Sequence, residues 1–289
     1  MGSILAQLVI DGLGMGLVYV LLASGFNLII AITGILFIAY GEFYMLGAFT
    51  LWGLMVPLGL PFYVGLIGAT VAPAILGGIA YRLIFRRIQS RVGRLLNSIV
   101  AALGLMLLIR QSAFITFGSE ARGMSSPFPG TIQMGAVSVT AERLVLILLS
   151  VALLVALQLF LQKTNAGRAM RAVSINEDVA GMQGINPDRT YLVTVMVGCA
   201  LAGFAGGMMA PVFALAPDMG GVTLLILLIV MLGGIGSMLG AVVAGLILGL
   251  ILSFGQYFIG TGLVQILFFA LIGVITFFRP GGLLGQAID

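Results

Sequence analysis

Three ionisable side chains, Asp11, Glu42 and Arg110, interrupt long apolar runs of this 289-residue chain. A charge at the centre of a bilayer costs about 2.5–3.5 kcal/mol on insertion scales, so such residues mark polar paths, partners or interfaces. Asp11 is expected at the outer interface. Arg110 is expected to snorkel outward beside Gln111. Glu42 follows Gly41 at a helix break, where its carboxylate would cap the next helix or face a translocation path. Other chemistries are closed by residue type. The chain has no histidine, and its one cysteine, Cys199, has no disulfide partner. Thiolate zinc clusters, histidine metal sites and Ser-His-Asp or Cys-His catalysis are therefore excluded, leaving neither a catalytic nor a metal site. No GxxxxGK[ST] occurs, and the only lysine, Lys163, follows Leu-Gln, so a P-loop cannot hydrolyse ATP here. The glycines around Gly234 approach a dinucleotide fingerprint but lack its βαβ context.

The elements that must position these residues follow from composition. Hydrophobic residues make up 61% and charged residues 8%, and mean hydropathy is +1.24. A soluble domain carries roughly 25% charged residues, so a water-soluble globule is excluded, and disorder with it. The reading is an all-α, polytopic transmembrane bundle of about 8–10 spanning or broken helices, forming a single domain over 1–289 in the lipid bilayer. The net charge of +4 does not point to nucleic acid, because the basic residues fall in two short stretches between apolar runs. No signal peptide is expected, since no Lys or Arg precedes Arg82 and Asp11 breaks the first apolar run.

Apolar runs cover about 4–31, 34–60, 62–81, 95–118, 143–162, 191–215, 222–258 and 262–278, against the roughly 20 residues one crossing needs. Two basic segments separate them, 82–94 and 163–189, and the positive-inside rule places both in the cytoplasm. The stretch 119–142 reads as an external loop. If the tail from Arg279 is also internal, an even number of crossings must separate it from Arg189. The run 222–258 must then break in two, with Gly233-Gly234-Ile235-Gly236-Ser237 as the break. Nine crossings result, with the N-terminus outside; eight or ten remain open because residues 1–60 have no Lys or Arg. Segments 32–44 and 222–235 read as interrupted helices, which transporters place beside a substrate path. Tyr40, Gly41, Glu42, Gly233, Gly234 and Gly236 are thus the candidates for that path. The repeats Gly12xxxGly16, Gly203xxxGly207, Gly236xxxGly240 and Gly245xxxGly249 predict close helix packing, or faces over which helices rock. Most Met and Phe are expected to face lipid or fill the core.

The second basic segment, about 163–190, is the most informative. Ser174 and Asn176 resemble N-caps, Glu177 and Asp178 suit a first turn, and Gly184 suits a left-handed C-terminal position. Asn186-Pro187 stops continuation. The pattern predicts a short cytoplasmic helix presenting Ala180, Gly181 and Gly184 to a partner.

Gly167-Arg168-Ala169-Met170-Arg171-Ala172, followed by Ala180-x-x-x-Gly184-Ile185-Asn186-x-Asp188-Arg189, resembles the coupling segment of branched-chain amino acid ABC-transporter permeases. Gly41-Glu42-Phe43-Tyr44-Met45-Leu46-Gly47-Ala48, Leu232-Gly233-Gly234-Ile235-Gly236-Ser237 through Gly240, and Arg279-Pro280-Gly281-Gly282-Leu283-Leu284-Gly285 agree along nearly the whole chain. The resemblance is to the shorter H-type subunit. It implies the inner membrane, a second permease (M-type, or self as a dimer), two cytoplasmic ATPases and a periplasmic binding protein. ATP is expected on the partner subunits, with no cofactor on this chain. Arg168, Arg171, Ala172, Asn176, Ala180, Gly184, Ile185 and Asn186 would belong to the ATPase-coupling segment. The implied cargo is branched-chain or similar aliphatic amino acids. Urea or short amides, and an ion-coupled secondary carrier using Asp11 or Glu42, are the alternatives.

Overall fold

A backbone in hydrocarbon must satisfy its hydrogen bonds within itself, which restricts lipid-exposed runs of this composition to helices. The computed structural model describes residues 2–89, 94–128, 130–134, 137–260, 262–264, 266–267 and 270. Arg91, most of the run 262–278 and the tail from Arg279 lie outside the described residues. The helices are α1 (Gly2–Thr33), α2 (Tyr40–Met55), α3 (Phe62–Ala80), α4 (Arg86–Gln89), α5 (Arg94–Phe117), α6 (Ala141–Lys163), α7 (Asn165–Ile175), α8 (Glu177–Met182), α9 (Pro187–Met209), α10 (Val222–Gly233) and α11 (Met238–Phe258). A π-helical turn, Tyr81–Phe85, joins α3 to α4.

Among the described residues, six helical stretches are long and apolar enough to cross a membrane: Ile4–Thr33, Phe62–Ile88, Leu96–Phe117, Ala141–Lys163, Pro187–Met209 and Met238–Phe258. With the shorter α2 and α10, eight of the nine expected segments are helical, and the ninth falls mainly outside the described residues. Both expected interruptions occur. Residues 34–39 separate α1 from α2, and 234–237 separate α10 from α11. The expected external loop holds the one sheet among the described residues, an antiparallel hairpin of β1 (Thr131–Met134) and β2 (Val137–Thr140) pairing Thr131 with Thr140. It does not alter the all-α class.

The chain forms two compact units. Among the described residues, one comprises those up to Asn27, Ser126–Leu154 and those from Leu224 onward; the other comprises Leu28–Ser125 and Val155–Thr223. In the first, α1 and α11 cross through two small-residue repeats. A Cβ on Gly249 would overlap the Gly16 Cα and the Gly12 carbonyl, and one on Gly245 would press on the Val20 backbone. Lipid offers no hydrophobic drive for helix association, so this close approach and its dispersion contacts hold the pair. Ser253 Oγ adds a hydrogen bond to Leu8 O at 2.7 Å. Asp11, expected at the outer interface, is ion-paired with Arg143 near the start of α6.

In the second unit, α2, α3 and α9 form the core, again backbone to backbone. Pro73 has no N–H to give the Ala69 carbonyl, and Gly203 brings its Cα against that oxygen, where a Cβ would overlap both Ala69 O and Pro73. Gly47 faces Gly203, and Gly206 faces the Tyr44 carbonyl, with equally little room. Cys199 is buried against Gly77. Arg122 closes the start of the loop that follows α5. Its backbone bridges Leu215, its guanidinium donates to Phe117 O at 2.7 Å, and it lies 4.6 Å over the Trp52 ring.

These contacts predict a contrast. Gly249→Ala inserts a methyl into the α1–α11 contact and is expected to destabilise the purified protein by about 1–3 kcal/mol. Gly53→Ala meets open space on α2 and removes a helical glycine, so it is expected to be neutral or stabilising by up to about 1 kcal/mol. Thermal unfolding in detergent reads both; equal shifts would refute the close-packing assignment.

Candidate functional site

Three local structures gather the predicted site residues. The first is the entry to α2. Ala39 precedes the helix and has no side chain to cap it, so the cap comes from a distant segment. The Gly41 N–H donates to Thr223 Oγ1 at 2.8 Å, and Thr223 Oγ1 donates to Gly220 O at 2.9 Å. This leaves no room for side chains: a Cβ on Gly41 would overlap Gly220 O and Thr223 Oγ1. The Tyr40 hydroxyl donates to Gly198 O at 3.1 Å, fixing the helix start to α9.

Glu42 does not cap α2, contrary to the expectation. It lies in the first turn, where the helix dipole favours a carboxylate. Its carboxylate rests against Gly220, where a Cβ would overlap it. The residue is 1% exposed, and its Oε2 has no hydrogen-bond partner among the described residues. Arg110 of α5 lies near enough for its charge to act on Glu42. The structure thus brings together two charges that the sequence reading treated separately. A buried carboxylate with an open oxygen can accept a proton, an ammonium group or a water hydrogen.

The second structure is the α10–α11 break. Gly234 and Gly236 take φ of +96° and +86°, a region costly for residues with a Cβ. Gly233 packs directly on Gly240. Asn27 of α1 holds the turn from both sides, accepting from the Gly236 N–H at 2.7 Å and donating to Ser237 O at 3.0 Å. Ser237 caps α11 by accepting from the Gly240 N–H at 3.0 Å. Gly236xxxGly240 is therefore not a helix face, because Gly236 belongs to the turn. Tyr40, Gly41 and Glu42 belong to one unit, and Gly233, Gly234 and Gly236 to the other. Asn27, Thr223 and Gly220 were missed by sequence reasoning. A buried asparagine amid Leu and Ile (Phe26-Asn27-Leu28) was the available signal for the first.

The third structure is the second basic segment, about 163–190. It contains two helices where one was expected. Thr164 Oγ1 caps α7, accepting from Gly167 N–H at 3.0 Å. Asn176 ends α7 and starts α8, accepting from the Asp178 and Val179 N–H groups at 3.0 Å each. Ser174 is not a cap: it lies inside α7, and its hydroxyl donates to Arg171 O. At the far end, Ile185 N–H bonds to Ala180 O and Gly184 N–H to Gly181 O, with Gly184 at φ +84°. That is a Schellman ending, which a left-handed glycine permits. Asn186 then caps α9, whose first residue is Pro187.

One side of this segment is anchored. Glu177 accepts from the Tyr191 hydroxyl, Arg171 donates to Leu161 O, and Met170 and Val173 are buried. Arg168 is exposed and donates to Asn165, and Ala172 is half-buried. Ala180, expected to face a partner, is buried at 3% exposure; Gly181 and Gly184 are open. The outer face instead presents apolar side chains, with Met182 89% and Ile175 86% exposed and Val179 half-exposed. Beside it, Gly181, Gly184, Ile185 and Asn186 line an open hollow of about 440 Å³. The segment thus holds exposed apolar side chains outward while its other side is anchored.

With this geometry in view, the sequence profile described as "branched-chain amino acid transport system / permease component" matches residues 8–278. The chain belongs to that permease family. The high-affinity branched-chain amino acid transport system permease protein LivH of Escherichia coli (strain K12) is 27% identical over 300 aligned residues, covering 97% of this chain and 95% of its own. BraD of Pseudomonas aeruginosa is 27% identical over 293, with the same coverage. LivM of Salmonella typhimurium is also 27% identical, but 95% of this chain matches only 69% of LivM. The permease is thus of the shorter, H type, a multi-pass membrane protein with a transport role.

Two substitutions test the α2 entry. Glu42→Gln preserves shape while removing charge beside Arg110, and Gly220→Ala displaces the carboxylate. Both are expected to reduce uptake at least tenfold at equal membrane abundance. Wild-type uptake in Glu42→Gln would remove this carboxylate from the transport path. Asn27→Ala, which frees the 234–237 turn, is expected to cost about 1–3 kcal/mol and to expose that turn to limited proteolysis; unchanged cleavage would contradict the clamp.

Proposed function

We propose that this permease is a pore-forming subunit of an ATP-driven importer of branched-chain or similar aliphatic amino acids in a bacterial inner membrane. It works with a second permease, M-type or a copy of itself, two cytoplasmic ATPases that bind the ATP, and a periplasmic binding protein. The observation that carries the reading is the α7–α8 segment: apolar outward, anchored inward, in a segment whose flanking charge favours the cytoplasm. The match to LivH and BraD over nearly both full lengths supports the cargo class over urea or short amides.

The anchoring supports a mechanism. An ATPase engaging Ile175, Val179 and Met182 pulls on α8. The Tyr191–Glu177 contact passes that displacement to α9, and the Arg171–Leu161 contact passes it to the end of α6. Because α9 meets α2 and α3 backbone to backbone, side-chain rotation cannot absorb the movement. It reaches the α2 entry, where Tyr40 is bonded to α9 and Glu42 lies against Gly220. ATP-driven closure and release thereby alternate access to the path lined by Tyr40, Gly41 and Glu42. The competing ion-coupled reading loses one of its two carboxylates, because Asp11 is paired with Arg143.

Met182→Asp tests the docking surface directly. The side chain is exposed, so folding is expected to change by less than about 0.5 kcal/mol, while a charge enters the apolar contact. The expected result is at least a tenfold loss of ATPase co-purification and of substrate-stimulated ATP hydrolysis, with membrane insertion intact. Full co-purification and full stimulation in Met182→Asp would refute docking through this face. Gly184 is a poorer probe, since its positive φ makes any substitution a test of the helix ending.

A further inference from the structure

A second cytoplasmic-side feature is not used by this mechanism. Where α4 meets the start of α9, an open pocket of about 440 Å³ is lined by Arg82, Arg86, Asn186, Asp188 and Arg189, with Tyr81 and Leu192. Three arginines against one aspartate give the lining a net charge of +2. Arg86 spends its charge on Asp188, with Nη2 at 3.1 Å from Oδ2. Among the described residues, the guanidinium groups of Arg82 and Arg189 have no hydrogen-bond or ion-pair partner. The first turn of the 23-residue α9 adds the positive end of its dipole at Asn186–Arg189.

The helix carrying Arg82 supplies a second, independent feature. Ile67, Val71, Ile75, Ile79 and Leu83 are all exposed. Their spacing of four places them in one stripe running along α3 to the level of Arg82. The Arg86 N–H bonds to Tyr81 O in the π turn at the foot of this stripe, and that turn carries the run from apolar stripe to basic pocket. A free phosphate would use only the pocket. A phospholipid uses both: its phosphodiester meets Arg82 and Arg189, and its acyl chains lie along the stripe. Basic pockets beside transmembrane helices on the cytoplasmic side suit anionic headgroups.

We propose that this pocket and stripe form a binding site for an anionic phospholipid of the cytoplasmic leaflet. Its headgroup is held by Arg82 and Arg189, and the Arg86–Asp188 pair forms the wall. The bound lipid would join α4 to the start of α9, the helix that follows the α7–α8 segment.

The test uses the full-length protein, delipidated in detergent and titrated with dioleoylphosphatidylglycerol, dioleoylphosphatidylcholine or inorganic phosphate. Native mass spectrometry counts adducts and affinities. The expected result is one retained phosphatidylglycerol, bound more tightly than phosphatidylcholine, with affinity falling as salt rises. Arg82→Gln/Arg189→Gln is expected to weaken phosphatidylglycerol by about 30-fold, for two surface cations lost, and to leave phosphatidylcholine unchanged. Equal binding of the two lipids, salt-independent affinity, or an unchanged double variant would overturn the proposal. So would displacement of the lipid by millimolar phosphate, which would identify a free-anion site. Its loss on assembly with ATPase subunits would identify a protein contact and overturn it equally. If the glutamine pair does not fold, Arg82→Lys/Arg189→Lys and the wild-type salt titration decide the question: both must retain the preference for the anionic lipid.

Discussion

The close approach of helix backbones is the constraint on which the rest of this structure depends. In lipid, apolar side chains gain nothing by leaving one hydrocarbon surface for another, so helices are held by dispersion at short range and by interhelical hydrogen bonds. Gly12, Gly16, Gly245 and Gly249 provide that approach between α1 and α11, and Gly47, Gly203 and Gly206 provide it among α2, α3 and α9. Few flexible side chains separate these helices. A displacement at one end of α9 therefore has a stiff route to α2, which a core packed by long side chains would damp.

The few polar groups in the apolar segments are placed by the same logic. Asn27 clamps a glycine turn, Thr223 caps a helix whose own N-cap is alanine, and Arg143 neutralises Asp11. Each serves a partner far away in sequence. Glu42 leaves one carboxylate oxygen buried and unpartnered among the described residues, as do Glu142 with Oε1 and Ser24 and Ser150 with their hydroxyls. Burying a carboxylate oxygen without a hydrogen bond is costly, so this position suits a group that gains a partner during a transport cycle.

Much of this was legible in the sequence because local physics dictates it. Apolar length gave the helices; the scarce charges and the parity they impose gave the break at 233–237; Asn176, Gly184 and Asn186-Pro187 gave the ends of α8 and the start of α9. Contacts across long sequence separation were not legible. The sequence marked Glu42 and Arg110 as isolated charges, but nothing local places α5 beside α2. Ala180 and Met182 show the limit on a small scale. Small residues suggested an open face, yet the Schellman ending and the Tyr191–Glu177 contact turn Ala180 inward and leave Met182 outside. The same holds for Ser174, a good cap by type that α7 extends through.

This permease is proposed to move its cargo only when driven by ATP hydrolysed on partner subunits. Leucine uptake into proteoliposomes measures this directly, comparing the permease alone with the complex of two permeases, ATPases and binding protein. Uptake is expected from the complete complex supplied with ATP, insensitive to a protonophore, with none from the permease alone. Accumulation by the permease alone, abolished by the protonophore and indifferent to ATP, would contradict the proposal.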